Sequence, residues 1–267
     1  MSRRIPLRPL AGLAVLSLFA AIGPWLHGTD PAAIDLARTA APASALHPLG
    51  TDESGRDVLA RLMAGGRVSL LVGVAAGLVA LLVGTGVGAL AASRRRWLAE
   101  PVSRLLDAAL AVPAFFLLLV IMTLFGGSAA SLVLAVGLTA WTGIARLVRA
   151  ETMTLREREY VLSAEALGQS RFGVFRRHVL PHLVPVLTAA ASVGVAQAVL
   201  TESALSFLGL GVEPPQASWG SMLTGAQQNL ATAPWLAVYP GLLIVATVLA
   251  CNALAEAVRT RQPGSPR

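Results

Sequence analysis

The sequence predicts an all-α, polytopic membrane protein with six transmembrane helices and both termini in the cytoplasm. Of its 267 residues, 55% are hydrophobic and only 13% are charged, whereas a soluble domain has about 25% charged residues. The hydrophobic residues form runs close to the ~20 residues that a helix needs to cross a bilayer. The arginines lie mostly in alternate segments between these runs, which is the distribution that orients membrane proteins.

Six apolar runs qualify as spans. They cover approximately residues 9–27, 67–92, 105–125, 129–148, 184–205 and 235–257. The first run follows several arginines, as a secretory signal would, but it has no convincing small-residue cleavage site, so we interpret it as a retained span. In the third run, Pro113 removes a backbone hydrogen bond and is expected to kink the helix. This kink makes Pro113 a candidate for a gate or for the translocation path.

The second run contains two pairs of glycines, Gly73 with Gly77 and Gly84 with Gly88. Residues four apart share one face of a helix, and small residues let helix backbones approach closely in lipid. We expect these faces to pack inside the protein; a contact with another subunit is the alternative.

The arginines also predict the orientation. With both termini in the cytoplasm, 17 of the 21 basic residues lie on the inner side, and all 21 are arginine. The outer segments keep only Arg38, Arg56, Arg61 and Arg67. Because arginine-rich loops stay in the cytoplasm, the reverse orientation is disfavoured. The net charge of +7 follows from this arrangement in a lipid bilayer and does not indicate binding to nucleic acid.

The sequence lacks the residues that several kinds of chemistry need. The chain has no lysine and therefore no G-x-x-x-x-G-K-[ST] loop for ATP. Cys251 is the only cysteine, which excludes an internal disulfide and a CxxC site. His178 and His182 are close but flank Pro181, and we expect no metal site there. With no paired carboxylates or Ser-His-Asp set at a common depth, we expect a chain that is not an enzyme and binds no cofactor itself.

The polar inner segment 150–182 predicts a short helix, a corner and a second, basic helix. Gly168 can adopt a left-handed conformation that ends the first helix, and Ser170 can cap the second. The second helix is expected to bury Phe172, Phe175 and Val179 and to expose Arg171, Arg176 and Arg177. The segment is either a connector lying on anionic lipid or, because the stretch SAEALG has few bulky groups, an element that inserts into a groove on another protein.

The stretch YVLSAEALGQ, followed by HVLP, resembles the cytoplasmic signature of the permease subunits of ABC importers. That signature is E-A-A, three residues, a glycine and, further on, I-x-L-P. The matching residues are Ser163, Ala164, Gly168, Leu180 and Pro181. Leu162 stands where the family has glutamate, and Glu165 is three residues further on.

Two further stretches narrow the resemblance. HPLGTDESGRDVLARLMAGGRVSLLVG (His47–Gly73) and ESALSFLGLGVEPPQASWGSML (Glu202–Leu223) are similar to the second permease subunit of dipeptide, oligopeptide and nickel importers. The resemblance implies a type I importer (MetI-like) fold in the cytoplasmic membrane and import of peptides or a related small solute, nickel included. It also implies four kinds of partner: a second, homologous permease, two ATPase subunits that hold ATP and Mg²⁺, an extracytoplasmic solute-binding protein, and lipid.

The resemblance suggests three parts for the chain. Residues 1–66 would hold the first span and an extracytoplasmic segment, residues 67–257 the importer-like transmembrane domain, and residues 258–267 a cytoplasmic tail. Within the second part, the segment 150–182 would be the coupling segment.

The resemblance also implies roles for individual residues. In the family, the short helix before the glycine sits in a cleft of the ATPase subunit. The corresponding coupling residues here are Tyr160, Ser163, Ala164, Glu165, Ala166, Leu167, Gly168, Gln169, Ser170, Arg171, Leu180 and Pro181. In the first outer loop, Asp52, Arg56 and Asp57 either contact the binding protein or order the loop. Glu202, near the outer end of span five, faces either the membrane interface or the path.

Two other classes compete with this interpretation. A secondary transporter driven by an ion gradient would place ionisable residues at mid-membrane and often contain internal repeats, whereas here charges cluster at span ends and no repeat is visible. A membrane enzyme would need a catalytic constellation, which the sequence does not supply.

Overall fold

The computed structural model describes residues 7–260. This part of the chain forms ten α-helices and no strand, which confirms the all-α class. The helices are α1 (Leu7–His27), α2 (Val58–Ala91), α3 (Arg96–Ala111), α4 (Ala114–Phe125), α5 (Ala129–Arg156), α6 (Glu159–Ala166), α7 (Arg171–Val174), α8 (Leu180–Phe207), α9 (Trp219–Ala226) and α10 (Trp235–Arg259). Most of the expected tail 258–267 lies outside the described residues.

Five helical runs are long and apolar enough to cross a membrane: α1, α2, α5, the run Arg171–Phe207 and α10. The pair α3 and α4 supplies a sixth candidate when its two helices are taken together. This agrees with a multi-pass protein of the predicted class, while the side on which each terminus lies stays a prediction.

The third span differs from the expectation of one kinked helix over residues 105–125. α3 and α4 are separate helices that meet at 84°. Val112, which precedes Pro113, is extended, with φ −85° and ψ 123°, because a proline disfavours the helical conformation of the residue before it. Pro113 therefore ends one helix and starts another. α4 alone has 12 residues, or about 18 Å, and is shorter than the ~30 Å core of a bilayer.

α2 begins earlier than predicted, at Val58 rather than near residue 67. Asp57 caps the helix, because its side chain accepts a hydrogen bond from the backbone N–H of Ala60 at 2.7 Å and so satisfies one free N–H group of the first turn. Arg61 and Arg67, which the sequence assigned to the outer loops, therefore lie on α2. The suggested boundary between the first two parts of the chain falls inside this helix.

Arg67 fastens α1 to α2. Its Nε donates to the carbonyl of Ala20 at 2.9 Å and its Nη2 to that of Ala21 at 2.8 Å. Pro24, four residues after Ala20, has no N–H to donate to that carbonyl. The arginine therefore supplies the hydrogen bond that the proline cannot make.

The glycines of α2 allow close packing on two sides, as expected. A Cβ on Gly73 would lie 2.5 Å from the side chain of Val199 in α8, and one on Gly84 would lie 2.7 Å from that of Ile144 in α5. Separations below about 3 Å are steric clashes, so only glycine fits. α2 thus lies between α5 and α8 and forms the centre of the bundle.

α7 continues into α8 without a break. A π-helical turn, Phe175–Val179, joins the two helices, so the helical run extends from Arg171 to Phe207. Pro181 lies just after this π-helical turn. A displacement at the start of this run can be carried to its far end.

Candidate functional site

The corner between α6 and α7 is built by local hydrogen bonds around Gly168. Gly168 has φ +81°, a conformation that glycine adopts readily. Its N–H donates to the carbonyl of Glu165 at 3.0 Å, and the N–H of Gln169 donates to that of Ala164 at 3.2 Å, which closes the end of α6. The side chain of Ser170 then accepts from the N–H of Gly173 at 3.1 Å and caps α7. Both predicted roles, of Gly168 and of Ser170, are present.

A small apolar core fixes the angle between α6 and α7. It consists of Val161, Ala164 and Val174, which are 0%, 5% and 3% exposed. The expectation that Phe172 is buried is wrong, since its side chain is 74% exposed. The corner turns Val174 towards α6, so Phe172, two residues earlier and on the opposite side of the helix, points outward.

Two bulky apolar side chains flank the corner on the outside. Leu167 is 83% exposed and Phe172 is 74% exposed, while a Cβ on Gly168 between them would meet no atom within 4 Å. Tyr160 and Leu162, on α6, are partly exposed as well. Exposed apolar groups clustered on a fixed backbone are typical of a protein contact.

An ion pair connects α6 to the turn between α2 and α3. Arg94 Nη2 lies 3.1 Å from Glu165 Oε2. The same nitrogen lies 3.5 Å from the carbonyl of Arg156 at the end of α5. The sequence did not indicate Arg94, because about 70 residues separate it from Glu165 and no local spacing relates them. Leu162, at the family's glutamate position, is 43% exposed.

The start of α8 also contacts α6. The ring of Tyr160 stacks on that of His182, with centroids 5.4 Å apart, and His178 Nε2 lies 3.2 Å from Gln169 Oε1. Pro181, one of the signature residues, lines a cavity together with Gln169 and Ser170 of the corner. Within residues 7–260, no cluster of three or more histidine, cysteine or acidic side chains is arranged to hold a metal ion.

The loop between α1 and α2 contains a buried charge network centred on Asp52. We call it the first outer loop after the side of the membrane that the arginines predict for it. The Asp52 carboxylate, 4% exposed, accepts from Arg56 Nε at 2.8 Å and from the backbone N–H groups of Ser54 and Arg56, each at 2.9 Å. Arg61 Nε lies 3.1 Å from the same carboxylate, and Arg56 also binds Glu53 at 2.8 Å. This geometry supports loop ordering; a contact with a binding protein stays a prediction.

Asp57 gathers three groups from different parts of the chain. Besides capping α2, its carboxylate lies 3.1 Å from His27 Nε2 at the end of α1 and 2.9 Å from His47 Nδ1 in the outer loop. Asp57 is 2% exposed. It therefore anchors the outer loop and α1 to the start of α2.

Glu202 is fully buried inside the bundle. Ser69 Oγ on α2 donates to its Oε2 at 2.9 Å, and Ser206 Oγ on α8 donates to its Oε1 at 2.6 Å. The backbone N–H of Trp219, the first residue of α9, donates to Ser69 Oγ at 3.2 Å. The carboxylate thus joins α2, α8 and α9, and does not face lipid. Its role in a path stays a prediction.

Pro113 lies at a cavity where α4 begins. The cavity is lined by Leu110 and Leu117 beside the bend and by Leu138, Thr139 and Thr142 on α5. Its role as a gate stays a prediction.

The long apolar helices form a multi-pass bundle. At one of its ends α6, the corner at Gly168 and α7 form a helical hairpin, Glu159–Val174, called the hairpin below. The family described as "Binding-protein-dependent transport system inner membrane component" matches residues 84–262. This chain belongs to that family, whose members are transport subunits rather than enzymes.

Relatives of known name support the same class. The chain is 34% identical over 261 residues to the oligopeptide transport system permease protein OppC of Escherichia coli K12, covering 97% of this chain and 86% of the relative. It is 35% identical over 253 residues to the glutathione transport system permease protein GsiD of Pectobacterium atrosepticum, covering 93% and 84%. A Brucella suis (biovar 1, strain 1330) protein with the provisional name peptide permease is 39% identical over 237 residues, covering 88% and 78%.

A solved structure of the MetNI methionine ABC transporter, described as inward facing, matches with a TM-score of 0.58 at 18% identity and covers 73% of this chain and 94% of that chain. It shows the MetI-like fold. The chain is therefore an ABC importer permease of the peptide, oligopeptide and glutathione permease family, and the alternative of a secondary transporter is not supported.

Proposed function

We propose that this chain is one of two homologous permease subunits that together form the path for peptides or a related small solute across the cytoplasmic membrane. Both termini lie in the cytoplasm, ATP and Mg²⁺ are held by two partner ATPase subunits, and an extracytoplasmic binding protein delivers the solute. The distribution of arginines supports the orientation, and the names of the relatives support the solute class.

The coupling role rests on one observation: two exposed apolar side chains lie on a rigid corner. Leu167 and Phe172 are largely exposed on a backbone that the core of Val161, Ala164 and Val174 holds in place. Inserting both side chains into a cleft of the ATPase removes their apolar surface from water, and each fully buried residue of this size contributes about 1.5–3 kcal/mol. The glycine between them leaves room for the cleft wall.

The hairpin transmits movement in two directions. The ion pair between Arg94 and Glu165 connects it to the base of α2, and the continuous helical run from Arg171 to Phe207 connects it to the outer end of α8. ATP-driven closure of the partner ATPases displaces the hairpin, and α2 and the run Arg171–Phe207 carry the displacement to the outer half of the bundle. The ATPase-bound end and the outer end of the bundle then bias the same two-state equilibrium, as coupling requires.

The decisive variant places a charge on the docking surface. In cells that produce the complete transporter, Leu167→Asp is expected to reduce both peptide uptake and co-purification of the ATPase subunits by roughly tenfold or more, because burying an unpaired carboxylate costs several kcal/mol. Leu36→Asp is the matched control, since Leu36 is also exposed, at 75%, but lies in the outer segment. Full uptake and full ATPase capture by Leu167→Asp would refute the docking role.

The solute class needs a separate experiment. Uptake of a labelled tripeptide, of glutathione and of Ni²⁺ by cells with and without the complete transporter would identify it. We expect transporter-dependent uptake of the tripeptide or of glutathione, and uptake of Ni²⁺ alone would contradict the peptide assignment.

A further inference from the structure

A basic pocket lies where the end of α2 meets α3 and α5. Arg104 of α3 and Arg149 of α5 line it together with the hydroxyl-bearing Ser93 and Ser103, and Met153 adds an apolar wall. The pocket adjoins the run Arg94–Arg96. It is distinct from the exposed pair Leu167 and Phe172 that we assign to the ATPase contact.

The two arginines of the pocket carry uncompensated charge. Within residues 7–260, neither Arg104 nor Arg149 has a carboxylate oxygen within 4.0 Å. The one acidic residue on the pocket wall, Glu100, is bound to Arg96 instead. Asp107, three residues from Arg104 on the same helix, makes no ion pair with it. Two guanidinium groups beside serine hydroxyls form a donor-rich site suited to a phosphate, since guanidinium groups bind phosphate through two parallel hydrogen bonds.

α3 presents an apolar stripe beside this pocket. Trp97, Pro101, Leu105 and Ala108 follow one another at spacings of four, four and three residues and therefore share one face of the helix. Trp97 is 70% exposed and Leu105 61% exposed, whereas Leu106, on the opposite face, is fully buried against the bundle. A helix with one packed face, an exposed apolar stripe and basic residues at its edge has the form of helices that lie in a membrane interface.

The break at Pro113 gives α3 the orientation that this role needs. α3 meets α4 at 84°, so if α4 follows the membrane normal, α3 runs close to parallel to the membrane surface. Its stripe can then contact acyl chains while Arg104, on the neighbouring side of the helix, reaches the headgroup layer, as long basic side chains do at interfaces.

We propose that this pocket binds the phosphate of an anionic phospholipid of the inner leaflet, with Arg104 and Arg149 as its donors and the stripe of α3 on the acyl chains. An anionic lipid fits better than a zwitterionic one because the pocket holds two unpaired cations and a zwitterionic headgroup would add a third. The bound lipid holds α3 at the interface and so supports the base of the bent pair α3 and α4. This site is independent of which solute is transported.

The test compares lipid binding by charge-matched variants. The full-length chain, purified in mild detergent with the subunits that accompany it, is titrated with phosphatidylglycerol or phosphatidylcholine, and bound lipid is counted by native mass spectrometry. The wild type is expected to prefer phosphatidylglycerol. Arg104→Gln with Arg149→Gln should weaken that binding by about fivefold per arginine, the effect of one basic residue near an anionic surface.

Arg146→Gln with Arg259→Gln is the control, because both arginines are exposed, are expected on the inner side and change the total charge equally. It should keep the preference of the wild type. Equal losses in the two double variants, or no preference in the wild type, would overturn the site.

Glycerol 3-phosphate, which has the phosphate without the acyl chains, should not compete at millimolar concentration; competition equal to that of the lipid would refute the assignment to lipid. Arg104→Gln alone, at an exposed position, gives the same test if the double variant fails to fold.

Discussion

The two ends of this permease bundle, named outer and inner after the side of the membrane that the arginines predict for each, both contain charged segments but use their polar groups differently. At the outer end, Asp52 and Asp57 are almost fully buried, and each gathers several donors. At the inner end, the pair between Arg94 and Glu165 is partly exposed, with side chains 44% and 25% accessible, and the pair between Arg96 and Glu100 is more exposed still. Apolar side chains are exposed there instead, at Leu167 and Phe172.

This difference follows from what each end has to hold together. The outer network closes loops of the same chain on one another, so the carboxylates of Asp52 and Asp57 find their donors within the chain. Nη1 of Arg61 is buried without a hydrogen-bond partner among the described residues. The inner hairpin satisfies its own backbone at the corner and leaves the apolar side chains of Leu167 and Phe172 exposed. Order at the outer end therefore depends on buried charge, whereas order at the inner end depends on backbone geometry.

The largest effect is expected from removing Asp52, the centre of the outer network. Asp52→Ala leaves Arg56 and Arg61 without their buried partner, and we expect the free energy of unfolding to fall by about 3–5 kcal/mol. Denaturant unfolding in detergent, followed by tryptophan fluorescence, measures this change. Asp35→Ala is the control, because its pair with Arg38 is exposed and such pairs contribute about 0–1 kcal/mol. Equal losses in the two variants would show that burial is not what matters.

The second test acts on the backbone of the inner corner. Gly168→Val forces a β-branched residue to adopt φ +81°, which costs about 1–3 kcal/mol. Because the new Cβ would meet no atom of this chain within 4 Å, the effect within the chain is confined to the conformation of the corner. A strain of ~1.4 kcal/mol lowers the population of the docked conformation tenfold, so uptake should fall by roughly that factor while membrane insertion is unchanged.

The variant Gly168→Asn tests whether uptake depends on the backbone conformation at this position or on the absence of a side chain there. Asparagine tolerates the left-handed conformation better than other side chains, so this variant should keep most of the uptake. If valine and asparagine reduce uptake equally, side-chain bulk in the ATPase cleft and not backbone strain limits this position.

Local chemistry explains which features the sequence predicted. Gly168 and Ser170 act through hydrogen bonds within five residues of themselves, so their roles can be inferred from spacing alone. The glycines of α2 are similar, because their periodicity places them on defined faces of one helix. The apolar runs predicted the long helices in the same way, because the length of each run is visible in the sequence itself.

Long-range pairing explains what the sequence missed. α2 begins at Val58, where Asp57 caps it. Arg61 in its first turn is neutralised by Asp52, whereas hydropathy counts that arginine only as a charge outside a span. The 84° bend at Pro113 looks like an ordinary kink in sequence, since the neighbours that accommodate it come from α5. The burial of Val174 instead of Phe172 depends on the direction in which the corner turns.

The smallest expected effect concerns the ion pair of the inner end. A double-mutant cycle with Glu165→Gln and Arg94→Gln isolates the energy of this pair, and we expect a coupling of about 0.2–1 kcal/mol because both side chains are partly solvated. The value should decrease in high salt, since exposed pairs are screened. A coupling energy close to the loss of about 3–5 kcal/mol expected for Asp52→Ala would mean that the inner end also relies on buried charge. The two ends would then not differ in this respect. If the stability is barely changed but peptide uptake falls in Glu165→Gln, the pair serves to transmit movement from the hairpin to α2 rather than to hold the fold.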